Sequence, residues 1–255
     1  MVQDSLARGS ETFEIGRVIS TSIAVFGRNI VAFLALALVI GIPYILTQIW
    51  VAGSLDMAAV EQTGQLPDGF WGVITISLLI GLLTYVLTQS VIVYGTFQDL
   101  RGQRAGVGDS LSRGLAVLPR AVIGGMLASI AILIGMVLIL VPGLILSLMW
   151  WVLMPVLVIE GTGIGQGFGR SRELTRGHRW GILGLLVLVV VAQWIVAFVL
   201  GLVGALLGPV GAGIINVAVT LFFAAFSSVM VAVGYYYLRA EKEGIVIDDL
   251  ARVFD

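Results

Sequence analysis

Four long stretches of this chain contain no Asp, Glu, Lys or Arg, and they constrain its fold more than any other feature. They run from Ile30 to Leu55, Phe70 to Gln98, Ala121 to Ile159 and Trp180 to Leu238. A hydrocarbon core of ~30 Å needs roughly 20 helical residues at about 1.5 Å each. The first two stretches each give one crossing, at about 30–52 and 70–97. The third is close to twice the required length, and Pro142-Gly143 near its middle predicts a tight turn between crossings at about 121–141 and 144–159. Gly208-Pro209 divides the fourth in the same way, into about 180–207 and 210–238. With 59% hydrophobic and 11% charged residues, the composition cannot cover a water-facing surface. The fold expected is an all-α integral membrane domain of six transmembrane helices spanning residues 1–255.

Orientation follows from where the basic residues fall. With six crossings, segments 1–29, 98–120, 160–179 and 239–255 share one side, and they hold all 14 Lys and Arg. The opposite side keeps two short turns and the loop 53–69, whose charges are Asp56, Glu61 and Asp68. Lys and Arg in short loops stay cytoplasmic, so both termini are expected inside. Trp50 and Trp71 at the outer ends, and Trp180 with Tyr235-Tyr236-Tyr237 at the inner ends, suit the membrane interface. Residues 1–29 lack a short apolar core and a small-residue cleavage site, so the first crossing is expected to serve as the insertion signal.

A loose repeat accompanies the odd-numbered crossings. Each is preceded by two arginines, Arg17 and Arg28, Arg113 and Arg120, then Arg170 and Arg179. Ile15, Ile19, Ile23 and Phe26 have helical spacing, as do Val107, Leu111, Leu115 and Leu118, while Ile164, Phe168 and Leu174 follow it less well. Interfacial amphipathic helices are therefore expected at about 12–28, 107–120 and 164–177, each leading into a helical hairpin. Pro43, Pro142 and Pro209 mark the outer ends of the odd crossings.

Pro142-Gly143, Glu160-Gly161 and the run Arg170-Ser171-Arg172-Glu173-Leu174-Thr175-Arg176-Gly177 together resemble the YciC-like bacterial inner-membrane proteins. The pattern is also similar to the membrane region ahead of some glycerophosphodiester phosphodiesterases, and it covers roughly residues 98–240. The resemblance implies a six-span protein of the bacterial inner membrane and brings no established activity. The phosphodiesterase catalytic domain of the fused members has no counterpart here, so no enzymatic role carries over.

No catalytic set, metal site or cofactor site is expected. Cysteine is absent, which removes thiolate chemistry and Cys-ligated metals. His178, the single histidine, reads as an interfacial loop residue, and the run Gly161, Gly163, Gly165, Gly167, Gly169 reads as a flexible connector because it fits no phosphate-binding spacing. The crossings lack ionisable groups, which argues against an ion-coupled transporter. Gln48, Gln89, Gln193 and Asn216 are their strongest polar groups, able either to bond helix to helix or to line a pathway. The stripe Ala121, Gly125, Ser129 and the pair Gly204, Gly208 permit close helix packing, expected mainly within one chain. Arg17, Arg28, Arg113, Arg120, Arg170 and Arg179 are candidate contacts for lipid headgroups, against the alternative that they only set topology, with Glu173 pairing Arg170 or Arg176.

The leading expectation is a non-enzymatic membrane protein acting through contacts with anionic lipid or another membrane protein complex, with no nucleic-acid partner. The alternative is a transporter or exporter of small neutral or lipidic molecules. A cavity at mid-depth lined by Gln89, Gln193 or Asn216 would favour the alternative. A tightly packed bundle with an exposed apolar face would favour the first.

Overall fold

The computed structural model describes residues 12–54, 64–103 and 106–244; Asp56, Glu61 and Arg104 lie outside these. The helices are α1 (Ile15–Arg28), α2 (Ile30–Ser54), α3 (Phe70–Leu100), α4 (Val107–Leu138), α5 (Leu140–Met149), α6 (Leu153–Pro155), a π-helical turn (Val156–Glu160), α7 (Ile164–Thr175), α8 (Arg179–Leu206) and α9 (Gly208–Glu243). No strand occurs among the described residues. Six segments are long and apolar enough to cross a membrane: α2, α3, α4, α8, α9, and the run Leu140–Glu160 made of α5, α6 and the π turn. Helix is the solution for such sequences because hydrocarbon offers no partner to a free N–H or C=O. Large apolar side chains cover the flanks, among them Leu133, Trp194 and Leu206.

The last helix is the post around which the others assemble. α9 packs against α1, α2, α3 and α8, and every residue from Ser228 to Leu238 is buried. A helix apolar on all sides needs neighbours on all sides. Its 36 residues span about 54 Å, well beyond a ~30 Å hydrocarbon core. Tyr235, Tyr236 and Tyr237, expected at the membrane interface, lie instead in this core at 0%, 6% and 9% exposure. The Tyr237 hydroxyl meets the Thr21 hydroxyl at 2.9 Å, so an aromatic run suited by composition to an interface is taken up by α1.

Both expected turns form, one of them at a shifted place. The break between α4 and α5 falls at Ile139, not at Pro142-Gly143. Proline is harmless in the first turn of α5, where N–H groups have no helical partner to lose. Gly143 has a separate role: a Cβ there would stand 2.5 Å from the Met136 backbone nitrogen, so only glycine lets α4 and α5 approach this closely. Between α8 and α9 the break is at Leu207, and Gly208 takes φ +75°, a conformation that disfavours a side chain. A Cβ on Gly204 would lie 2.9 Å from Ala212 Cα, so Gly204 serves packing within one chain, whereas nothing lies within 4 Å of a Cβ on Gly208.

Four further expectations change. The stretch 107–120 is no separate helix but the first part of α4, where Gly114 lies against Val91 of α3. In α1 the buried face is Val18, Ser22, Val25 and Phe26, while Ile15 and Ile23 are exposed; the inward face is turned from the one the isoleucines mark because α1 packs along α9. The glycine run is a connector between helices only over 161–163, since Gly165, Gly167 and Gly169 are helical in α7 and Gly167 abuts Leu157. Pro43 lies inside α2 rather than at its end.

Candidate functional site

Two regions carry polar chemistry. The first is the basic end of the bundle, where Glu160 and the run Arg170–Gly177 converge on a break in the chain. Helix stops at Met149 and resumes at Leu153, leaving the Met149 carbonyl without its helical donor. The hydroxyls of Ser171 and Thr175 donate to it at 2.9 and 3.2 Å. Arg170 Nε donates to both oxygens of Glu160 at 3.2 Å, and its other nitrogens reach Glu173 and Glu243. The Tyr235 hydroxyl donates to Glu160 Oε1 at 2.7 Å, while Arg239 bonds Tyr235 and Glu243. Leu174 is fully buried and Gly177 ends the segment at φ +94°. The Arg170–Gly177 run thus clamps α7 onto the chain break and onto α9.

His178 completes this end. Its Nε2 lies 3.1 Å from Glu241, whose other oxygen accepts the Phe13 N–H at 2.8 Å, and its ring packs edge-on against Phe13. It joins the start of α8 to the end of α9 and to the approach to α1.

The six arginines proposed for headgroups fall into two sets. Arg17 pairs with Glu14, Arg28 with Asp99 at 2.5 Å, and Arg170 with three carboxylates. The hydrogen bonds that Arg28 donates to Asp99 raise its guanidinium above its ordinary pKa. Arg113, Arg120 and Arg179 have no carboxylate partner among the described residues. Arg120 donates to the Gly161 carbonyl at 3.0 Å, and its Nε, like that of Arg179, is buried without a hydrogen-bond partner.

The second region is a cavity of about 300 Å³, roughly midway along α3, α4 and α9. Its polar lining is Tyr85 and Gln89 of α3, Ser129 of α4, Ser147 of α5, Trp150 and Trp151 at the chain break, Gln193 of α8 and Ser227 of α9. No Asp, Glu, Lys, Arg or His contributes. Gln89 is 4% exposed; its Nε2 donates to the Tyr85 hydroxyl at 3.2 Å and its Oε1 has no partner. Trp151 Nε1 is buried and equally without a partner, its ring seated over Gly234, where a Cβ would come within 2.4 Å. A buried polar atom left unpaired costs about 1–3 kcal/mol. The cavity exists because α8 packs along α9 and touches α1 and α5, with no comparable packing on α3 or α4.

The structure therefore brings Gln89 and Gln193 to one space and leaves Gln48 and Asn216 exposed elsewhere. Gly125 and Ser129 of the small-residue stripe line the same space, where Gly125 admits Met154 and Val86. Sequence reasoning missed Tyr85, Trp151, Ser227, Glu160 and Tyr235. An aromatic or serine within an apolar run gives no signal until its neighbours are known. Among the described residues no group of His, Asp or Glu is arranged to hold a metal ion.

Comparison with protein-family models, with curated proteins and with solved structures finds no match to the chain. The fold alone defines the class, a multi-pass helical membrane protein with six apolar helices of spanning length.

Proposed function

We propose that this chain is a non-enzymatic carrier of the bacterial inner membrane that takes a small neutral or lipidic molecule into the cavity within its bundle. One observation carries the reading: Gln89 and Gln193, from helices without close packing on each other, line a common space that holds no charged residue among the described ones, and Gln89 Oε1 there is buried without a partner. Ligand sites are concave, mostly apolar and furnished with a few polar groups that fix orientation. The test is mass spectrometry of organic extracts from purified protein. An uncharged molecule should co-purify with the parent and fall about tenfold with Ser129→Trp, which fills the mouth of the cavity. Equal recovery from both proteins would refute the carrier reading.

The topology that goes with it is three helical hairpins with both termini cytoplasmic, supported by the confinement of all 14 basic residues to one set of segments. Because the chain has no cysteine, single cysteines at Ser54 and Ser112 report without background. An impermeant thiol reagent should label Ser54→Cys from outside sealed cells and Ser112→Cys only after permeabilisation. Labelling of both from the same side would contradict six crossings in this orientation.

A second reading, binding of anionic lipid at the basic end, is favoured by the lack of carboxylate partners at Arg113, Arg120 and Arg179. Basic residues near an anionic surface contribute about 1 kcal/mol each. Changing these three to Gln should reduce the cardiolipin or phosphatidylglycerol retained in native mass spectra, leaving phosphatidylethanolamine unchanged. Undiminished anionic lipid would assign these arginines to topology alone.

A further inference from the structure

The cavity has a mouth as well as a polar floor. Tyr85, 55% exposed, and Val190, 43% exposed, both line it, as does the exposed Ser129. These three belong to α3, α8 and α4 and sit well inside the spanning segments, not at their ends. The same stretches of α3, α4 and α8 expose the apolar side chains of Leu83, Leu133, Val187 and Trp194. A molecule arriving there comes from the acyl-chain region of the bilayer. It reaches Gln89 and Trp151 only by bringing hydrogen-bonding atoms through hydrocarbon, which a charged group does at far greater cost than a hydroxyl or carbonyl.

We infer that the cavity is loaded sideways from the membrane interior by an uncharged single-chain amphiphile whose polar group supplies both a donor and an acceptor. This rests on the carrier reading and adds the ligand class and the route. Gln89 presents a free acceptor and Trp151 a free donor. The amide of Gln89 is ambiguous in orientation, yet the Tyr85 hydroxyl can donate or accept, so either orientation leaves one Gln89 atom free to bond a ligand. Size limits the occupant: 300 Å³ equals about ten water volumes, room for a polar group and a short apolar body. A two-chain phospholipid exceeds it several times over.

The experiment uses the full chain in nanodiscs with Trp50, Trp71, Trp180 and Trp194 changed to Phe, so that Trp150 and Trp151 on the cavity wall report. Omega-bromoundecanol should quench their fluorescence saturably, and Gln89→Leu should weaken its binding about tenfold, the loss of one hydrogen bond. Ionised omega-bromoundecanoate should bind at least tenfold more weakly, and dibrominated phosphatidylcholine in the disc should quench little. Equal affinity for the carboxylate, or no effect of Gln89→Leu, overturns the ligand class while a co-purified molecule displaced by Ser129→Trp keeps the carrier reading standing. Strong quenching by the dibrominated lipid overturns the inference because ordinary lipid then fills the space. If the four substitutions impair folding, radiolabelled undecanol binding to the parent protein and to Gln89→Leu gives the same comparison, and absence of saturable binding overturns the inference.

Discussion

Gly143→Ala is expected to abolish most of the folded yield. The added Cβ would stand 2.5 Å from the Met136 nitrogen and 2.8 Å from its Cα. Overpacking in a core usually costs about 1–3 kcal/mol, because neighbouring side chains swing aside. Here the atoms struck include the main chain of Met136 in the last turn of α4, and that backbone can move only by parting the two helices. A loss of at least about 3 kcal/mol follows, read as a lower thermal midpoint and aggregation in size-exclusion chromatography. Gly16→Ala is the control, since nothing lies within 4 Å of a Cβ there. A variant at Gly143 with an unchanged midpoint would mean that α4 and α5 do not meet as described.

The second large effect is expected at Glu160. Its side chain is 13% exposed, bonds Arg170 through both oxygens and accepts the hydroxyl of the fully buried Tyr235. Removing one partner of a buried ion pair costs about 3–5 kcal/mol. Arg170 is 23% exposed and keeps Glu173 and Glu243, so Glu160→Ala should cost less, about 2–3 kcal/mol. A double-mutant cycle with Arg170→Ala isolates the pair. The expected coupling is about 1–2 kcal/mol, the double variant being more stable than the sum of the singles implies. Additive losses would show that α7 is held by Ser171, Thr175 and Leu174 and that the ions are incidental.

The crossings were legible because missing charge over a known length is a one-dimensional signal, and the bilayer supplies the ruler. Turn position was less legible. Pro142 marks a place where a helix is weak, but in a first turn proline is no obstacle, so the break moved to Ile139. Gln89 and Gln193 stood out as amides within apolar runs, whereas their meeting, and the exclusion of Asn216, depends on how each helix is rotated about its axis. Tyr235 misled for a physical reason. A tyrosine near the end of a span suits an interface, and only Glu160, from another crossing, turns it into a core residue.

The π turn at Val156–Glu160 is a helix carrying one residue more than its regular form would hold. Deleting a single residue there would restore an ordinary α-helix, and the segment would keep its length, its apolar character and its place in the membrane. Winding all of the present residues as ordinary α-helix would instead rotate everything beyond them by about 100°, swinging Glu160 away from Arg170 and Tyr235. The local chain has two acceptable windings, and the choice between them is made by a carboxylate gripped from two other helices. In that sense the span behaves as a threaded rod whose pitch is set by a nut at its end: loosen the Glu160 contacts, and the winding of Val156–Glu160 is free to change.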